Sequence, residues 1–242
     1  MSIVYIVIYD IKNIIKSPLT YISLFLILFL TFSFVTSLNS GTSTVNGSQI
    51  LRLSAWTFSF VGILFMTKTL TRDFSQGTIQ KYLNIKKNRI RYFISKCSSI
   101  IILYFFFGLL TFIFTYISKI YIHATDIDIQ DYMNFFLILF IYFVVFSLFS
   151  FLLVLLTNRV SLVFSLNIFI ILIVPMLLNF IPLIPKYGNK IMHFADKCPI
   201  TFLPMKLYQG DFKINTEQII ISLIIVVILL IIDTYYIIKK NV

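Results

Sequence analysis

The chain has 242 residues, of which 59% are hydrophobic and only 12% charged, with a mean hydropathy of +0.97. That balance excludes an ordinary soluble domain, whose core is assembled from short apolar runs. The net charge of +11 is distributed along the loops between apolar runs rather than gathered into one basic domain, which excludes nucleic acid as a partner.

Residues 1–17 predict an amphipathic interfacial helix. Val4, Val7, Ile8, Ile11, Ile14 and Ile15 recur at helical spacing, with Tyr5, Tyr9, Lys12, Asn13 and Lys16 on the other face. Ser17-Pro18 then breaks it and turns the chain into the membrane. Residues 18–242 form one transmembrane domain. Six runs reach the roughly 20 apolar residues that a hydrocarbon slab requires, at about 19–38, 50–70, 98–118, 135–156, 160–181 and 219–238. They are continuous and lack alternation, so the expected fold is an all-α integral membrane bundle rather than a barrel. The first run is too long for the h-region of a cleaved leader.

Sidedness follows from charge. With the N-terminus inside, 13 of the 20 Lys and Arg fall on the cytoplasmic side, while Asp126, Asp128, Asp131, Asp196, Asp211 and Glu217 fall outside. Both termini are therefore expected in the cytoplasm of a multi-pass protein of the cell membrane. The densest basic stretch is the segment 72–96, which holds seven basic residues and one acid in 25 positions between spans two and three.

Asn46-Gly47-Ser48 is formally a glycosylation triplet and carries no weight. Asp126, Asp128 and Asp131 lack the glycine and glutamate of a calcium loop and read as a solvated acidic loop. Asn158-Arg159 is a tight inner turn. In span five, Asn167, Pro175 and Asn179 face other helices, as packing residues or as part of a pathway. Span four is rich in phenylalanine (Phe135, Phe136, Phe140, Phe143, Phe146, Phe149, Phe151), which either lines a lateral path or faces lipid. Arg52, at the outer end of span two, is expected to snorkel toward the interface. The stretch 198–210 is too apolar for a free loop and too short to span, which predicts an outer re-entrant or interfacial helix. Cys97 and Cys198 fall on opposite sides and are not expected to bridge.

Catalytic chemistry finds no support. His123 and His193 lie in separate outer loops, and no HExxH or paired-acid motif occurs in the spans. Asp233 is an intramembrane acid and hence a functional candidate, although Lys239 is near enough to pair with it. No glycine begins a GxxxxGK[ST] loop, so the chain is expected to bind no cofactor and no metal. Any energy for transport then comes from elsewhere, and the scarcity of buried charge argues against an ion gradient.

The segment after span two resembles the inner loop in membrane permeases of bacterial type-2 ABC exporters. That loop reads acid-x-x-x-Gly-Thr, a hydrophobic pair, a turn, a Ser-Arg helix start and a Gly-Lys entering span three. Here Asp73 precedes Gly77-Thr78, and Tyr82-Leu83, Asn88-Arg89 and Ser95-Lys96 follow in register. Lys86 and Ser95 depart from the usual proline and glycine. Cys198-Pro199 through Gly210 is similar to the Ser-Pro…Gly outer helix before span six.

The resemblance implies a half-transporter. It pairs with a second permease copy or paralogue, and a separate ABC ATPase subunit binds the ATP and Mg. It also implies a coupling helix in segment 72–96 that docks on the ATPase. Arg72, Asp73, Gln76, Gly77, Thr78, Lys81 and Tyr82 are the candidate contacts. Generic contact of a basic loop with anionic lipid is the alternative for that segment. Ser75 or Thr78 is expected to cap the helix that follows, and Asn88 the next one. The chain is similar to small Gram-positive permeases handling antimicrobial or amphipathic cytolytic peptides, the phenol-soluble modulin exporters among them. A non-transporting immunity or sensor protein that binds such peptides is the competing function.

Overall fold

The computed structural model describes residues 2–39, 45–83, 86–184 and 187–239, apart from the side chains of Asn39, Lys81, Leu83, Lys86 and Lys87. Residues 40–44 of the expected first loop lie outside the described residues. The described chain is helical throughout and contains no strand. Six of its helices are long and apolar enough to cross a membrane: Pro18–Leu38, Gly47–Ser75, Asn88–Tyr121, Ile129–Thr157, Val160–Leu183 and Thr216–Lys239.

A short helix, α1 (Ile3–Lys16), precedes the first of these. Ser17 is extended at its C-cap, and Pro18 opens α2 (Pro18–Asn39). Proline suits a first helical position because its missing N–H would be unpaired there anyway. One face of α1 packs on the bundle and the other is exposed. Ile6 and Asp10 are buried against the bundle, whereas Val4, Ile8 and Ile15 of its apolar stripe are exposed.

The second and third spanning helices overrun their apolar runs. Helix α3 (Gly47–Ser75) continues past Leu70, and α5 (Lys86–Tyr121) begins 12 residues before Ser98. At 1.5 Å per residue the 36 residues of α5 reach about 54 Å, well beyond a hydrocarbon core of about 30 Å. Between them only α4 (Ile79–Leu83) remains of the expected polar loop. Asn88 therefore lies inside α5 and not at its N-cap.

Helix α6 (Ile129–Thr157) packs against both α3 and α5. Phe135, Phe143, Phe146 and Phe151 are buried in it, and Phe140 is exposed. Most of the aromatic richness of this span thus packs the interior. Gly62 of α3 leaves room for the Phe143 ring, since a Cβ there would collide with it. A two-residue turn with Asn158 in the left-handed region connects α6 to α7 (Val160–Ile168). A π-helical turn, Phe169–Ile173, then leads into α8 (Val174–Phe180). Pro175 accounts for the widening, because its ring would strike the carbonyl four residues back and it donates no hydrogen bond.

At the end of the bundle away from α1 lie α9 (Gly188–Ala195) and α10 (Pro199–Gln209). Phe202, Leu203 and Leu207 of α10 are buried, with the helix lying across α3, α6 and α8. Helix α11 (Thr216–Lys239) buries Ser222, Leu229, Asp233 and Ile237, packs Ile225, Val226, Leu230 and Ile238 partly against the core, and leaves Leu223, Ile224, Val227 and Ile231 exposed.

Several hydroxyls in the spans are satisfied locally, while those of Thr20 and Ser59 are buried without a partner. Thr67, Thr69, Thr71, Thr111 and Thr115 each donate to the carbonyl four residues earlier. Across helices, Ser54 and Thr115 hydrogen-bond at 2.7 Å, and Thr31 donates to Thr57 at 3.2 Å. Such bonds matter in lipid, where apolar side chains gain little by leaving one greasy phase for another.

Arg52 is exposed at the expected outer end of its span. Its Nε donates to the Tyr208 carbonyl at 3.1 Å, placing a cation at the C-terminus of α10, where the helix dipole is negative. Gly210 ends that helix at φ +71°, and a Cβ there would collide with the Arg52 stem. Gly77 has a similar φ of +65° but nothing near it. Gly210→Ala is accordingly expected to destabilise more than Gly77→Ala, which costs only the backbone strain of about 1–2 kcal/mol. Thermal unfolding of the two variants in detergent checks the order.

Candidate functional site

At the end of the bundle that holds α1, four charged side chains meet in the interior. Asp10 comes from α1, Arg72 and Asp73 from the last turn of α3, and Lys96 from α5. Asp10, Asp73 and Lys96 are at most 1% exposed and Arg72 is 11% exposed by side chain. Arg72 Nη2 lies 2.7 Å from Asp10 Oδ1 and 3.1 Å from Asp73 Oδ1. Lys96 Nζ lies 3.0 Å from Asp10 Oδ1 and 2.7 Å from Asp73 Oδ2. Each acid therefore contacts both bases, and the group is neutral as a whole.

Further donors reach both carboxylates, while Arg72 Nε is buried without a partner. Ser99 Oγ donates to Asp10 Oδ2 at 2.9 Å, and the Tyr92 hydroxyl to Asp73 Oδ2 at 2.9 Å. Lys96 gives a further hydrogen to the Thr69 carbonyl at 3.1 Å. The Arg72 guanidinium sits 4.6 Å from the Tyr9 ring centroid, and Tyr82 stacks on Tyr92 at 5.2 Å. Buried ions are tolerated only with this degree of compensation, because desolvation costs several kcal/mol per ion.

Register explains the convergence. Asp10 follows Ile6 by one helical turn, so both point into the bundle. Tyr92, Lys96 and Ser99 lie at i, i+4 and i+7 on one stripe of α5.

The predicted contact residues divide between this cluster and the surface. Arg72 and Asp73 point inward. Gln76 and Gly77 are exposed, and Gln80 joins them on α4. Thr78 is half-buried and donates to the Asp73 carbonyl at 3.4 Å, and Ser75 donates to the Arg72 carbonyl at 2.7 Å. Those bonds run back into α3. Tyr82 is half-buried against Tyr92, and burial, followed by the Asp73 charge, holds its phenol above its ordinary value. The Lys81 side chain lies outside the described residues.

The other candidates are scattered. Asn167 is buried and donates to Thr67 Oγ1 and Ser150 Oγ, each at 2.8 Å, tying α7 to α3 and α6. Asn179 accepts from Gln209 at 3.2 Å near α10. Asp233 is fully buried, and neither carboxyl oxygen has a hydrogen-bond partner. It does not reach Lys239, which is bonded to the Tyr235 hydroxyl. Reading the sequence alone misses Asp10, Tyr92 and Ser99 altogether. The available signal is a single acid on the inward stripe of an otherwise apolar N-terminal helix.

The fold and this cluster define a multi-pass helical membrane protein whose N-terminal helix is ionically fastened to its second and third spans. No family model matches the chain, and no curated protein is found to be similar to it.

Removing one member of the cluster leaves a buried charge unbalanced. Asp73→Asn or Lys96→Met is expected to destabilise by roughly 3–5 kcal/mol, and the Asp73→Asn/Lys96→Met pair by much less than the sum. Unfolding of the singles and the double in one detergent measures the coupling.

Proposed function

We propose that the chain is the permease half of an ATP-driven exporter in the cell membrane, with both termini in the cytoplasm. A separate ABC ATPase binds ATP and Mg, and a second permease copy or paralogue completes the pathway. The cargo class is an amphipathic or hydrophobic peptide.

The observation that supports this most is mechanical continuity between an exposed segment and the spans. Gln76, Gly77 and Gln80 stand at the surface on the short turn between α3 and α5, with Lys81 and Tyr82 following. Immediately behind them, Arg72 and Asp73 are bonded through Lys96 and Asp10 to α5 and α1. A push on α4 is thereby passed to three helices at once. In this role Arg72 and Asp73 act as the anchorage of the docking segment, and the exposed glutamines, Gly77, Lys81 and Tyr82 form its contact face. The Asp73…Gly77-Thr78 spacing holds the turn against α3, through the bond from Thr78 to the Asp73 carbonyl.

The test uses tagged chain purified from its native cells. A soluble ATPase is expected to co-purify, and peptide is expected to stimulate its hydrolysis. Gln76→Trp/Gln80→Trp should weaken that association at least about tenfold, which is 1.4 kcal/mol. Lys190→Trp, at the opposite end, should not. Peptide binding with no associated ATPase would favour an immunity or sensor protein and sink the exporter reading.

A further inference from the structure

Two cavities on one side of the bundle share a wall and differ sharply in chemistry. The first, of about 440 Å³, lies at the corner where α1 turns into α2. Lys16, Ser17, Lys68, Arg72, Ser75 and Gln76 line it, and no acidic residue does. The second, of about 380 Å³, is almost wholly apolar and is lined by Leu19, Val61, Leu64, Phe65 and Phe164. Lys68 and Phe164 belong to both. The polar and apolar cavities therefore adjoin at Lys68 and Phe164.

Helical register gives the pair its shape. Lys68 and Arg72 are one turn apart on α3, as are Val160 and Phe164 on α7, so both walls run along the bundle axis. From Lys68 down to Val61 is seven residues of α3, about 10 Å toward the middle of the span. The floor is α3, and α2 and α7 form the sides.

The charge of the polar cavity is uncompensated. Arg72 is engaged with Asp10 and Asp73. Lys68 donates only to the Ser17 hydroxyl, at 2.9 Å, and among the described residues neither it nor Lys16 has a carboxylate partner. Two buried polar atoms on the linings also lack partners. They are Arg72 Nε in the polar cavity and the hydroxyl of Thr20, 6% exposed, in the apolar one.

We infer that these cavities form one site for an anionic glycerophospholipid, with its phosphate between Lys16 and Lys68 and an acyl chain along Leu19, Val61, Leu64 and Phe164. A free anion would leave the apolar cavity unfilled, and a neutral lipid would leave the lysines unmatched. Clusters of Lys and Arg at the headgroup level recognise anionic lipid in this way. The site depends on the six spans lying in a bilayer and needs no ATPase; it shares Arg72 and Gln76 with the proposed docking segment, whereas Lys16, Lys68 and Leu64 lie outside that segment.

The full-length chain, placed in mixed micelles of phosphatidylglycerol and phosphatidylcholine with identical acyl chains, tests this by native mass spectrometry. Phosphatidylglycerol should be retained roughly 25-fold over phosphatidylcholine, with about a factor of five contributed by each of the two lysines near the surface. Lys16→Gln/Lys68→Gln should bring the ratio close to parity, and Lys206→Gln/Lys213→Gln should leave it unchanged. Leu64→Trp, which fills the apolar cavity without touching charge, should reduce the number of retained lipids. Parity in the wild type, or enrichment that survives the Lys16/Lys68 change, overturns the site. So does thermal protection by inorganic phosphate equal to that by phosphatidylglycerol. Ready disulfide cross-linking of two Ser23→Cys copies would assign the groove to a second chain instead.

Discussion

A charge removed from water must find an opposite charge, and the arrangement of this protein at its basic end is dictated by that requirement. Asp10 and Asp73 are each held by both Arg72 and Lys96, so every member keeps a counter-charge when any single pair opens. Because the four residues come from α1, α3 and α5, the relative position of those helices is set by a group only a few ångströms across. Hydrophobic burial could not do the same. In lipid an apolar helix face is nearly as well solvated by acyl chains as by another helix. Specificity of position then falls to hydrogen bonds, ions and close packing.

The rest of the bundle follows the same economy with weaker means. Asn167 bridges α7 to both α3 and α6, the Ser54–Thr115 bond joins α3 to α5, and Thr31 to Thr57 is a main polar link from α2 to its neighbour. Helix α2 is consequently the least fastened of the early spans, with only 22% of its apolar window buried. The ionic cluster, α3, α5 and α6 make a stiff body. Beside it lies a peripheral helix joined at one proline corner and a few contacts.

The number of spans and their approximate positions are legible in the sequence, because a hydrocarbon slab demands a length that few soluble elements share. Their ends are less so. Helices α3 and α5 run on through Arg72–Ser75 and Lys86–Cys97, where hydropathy falls but helix propensity does not, and an apolar scan stops short of both. The site is legible only in outline. Asp73, Gly77 and Thr78 stand out by spacing, but their roles differ once Asp73 is seen to face inward. Asp10 pairs with Arg72 and Lys96 across 62 and 86 residues, and no local pattern encodes a partner so remote. Arg52 is similar: its contact with the end of α10 is 156 residues away, so its place at a span end suggests only a route to water.

The distance in sequence between Asp10 and Lys96 has a consequence during synthesis. A ribosome adds about 5–20 residues per second, so the first helix emerges roughly 4–17 seconds before its lysine partner exists. Arg72, 62 residues after Asp10, emerges sooner and supplies the first counter-charge. Until the third span enters, Asp10 lacks the second, together with the two hydrogen bonds that Lys96 donates. The seating of α1 is therefore complete only once α5 is in place.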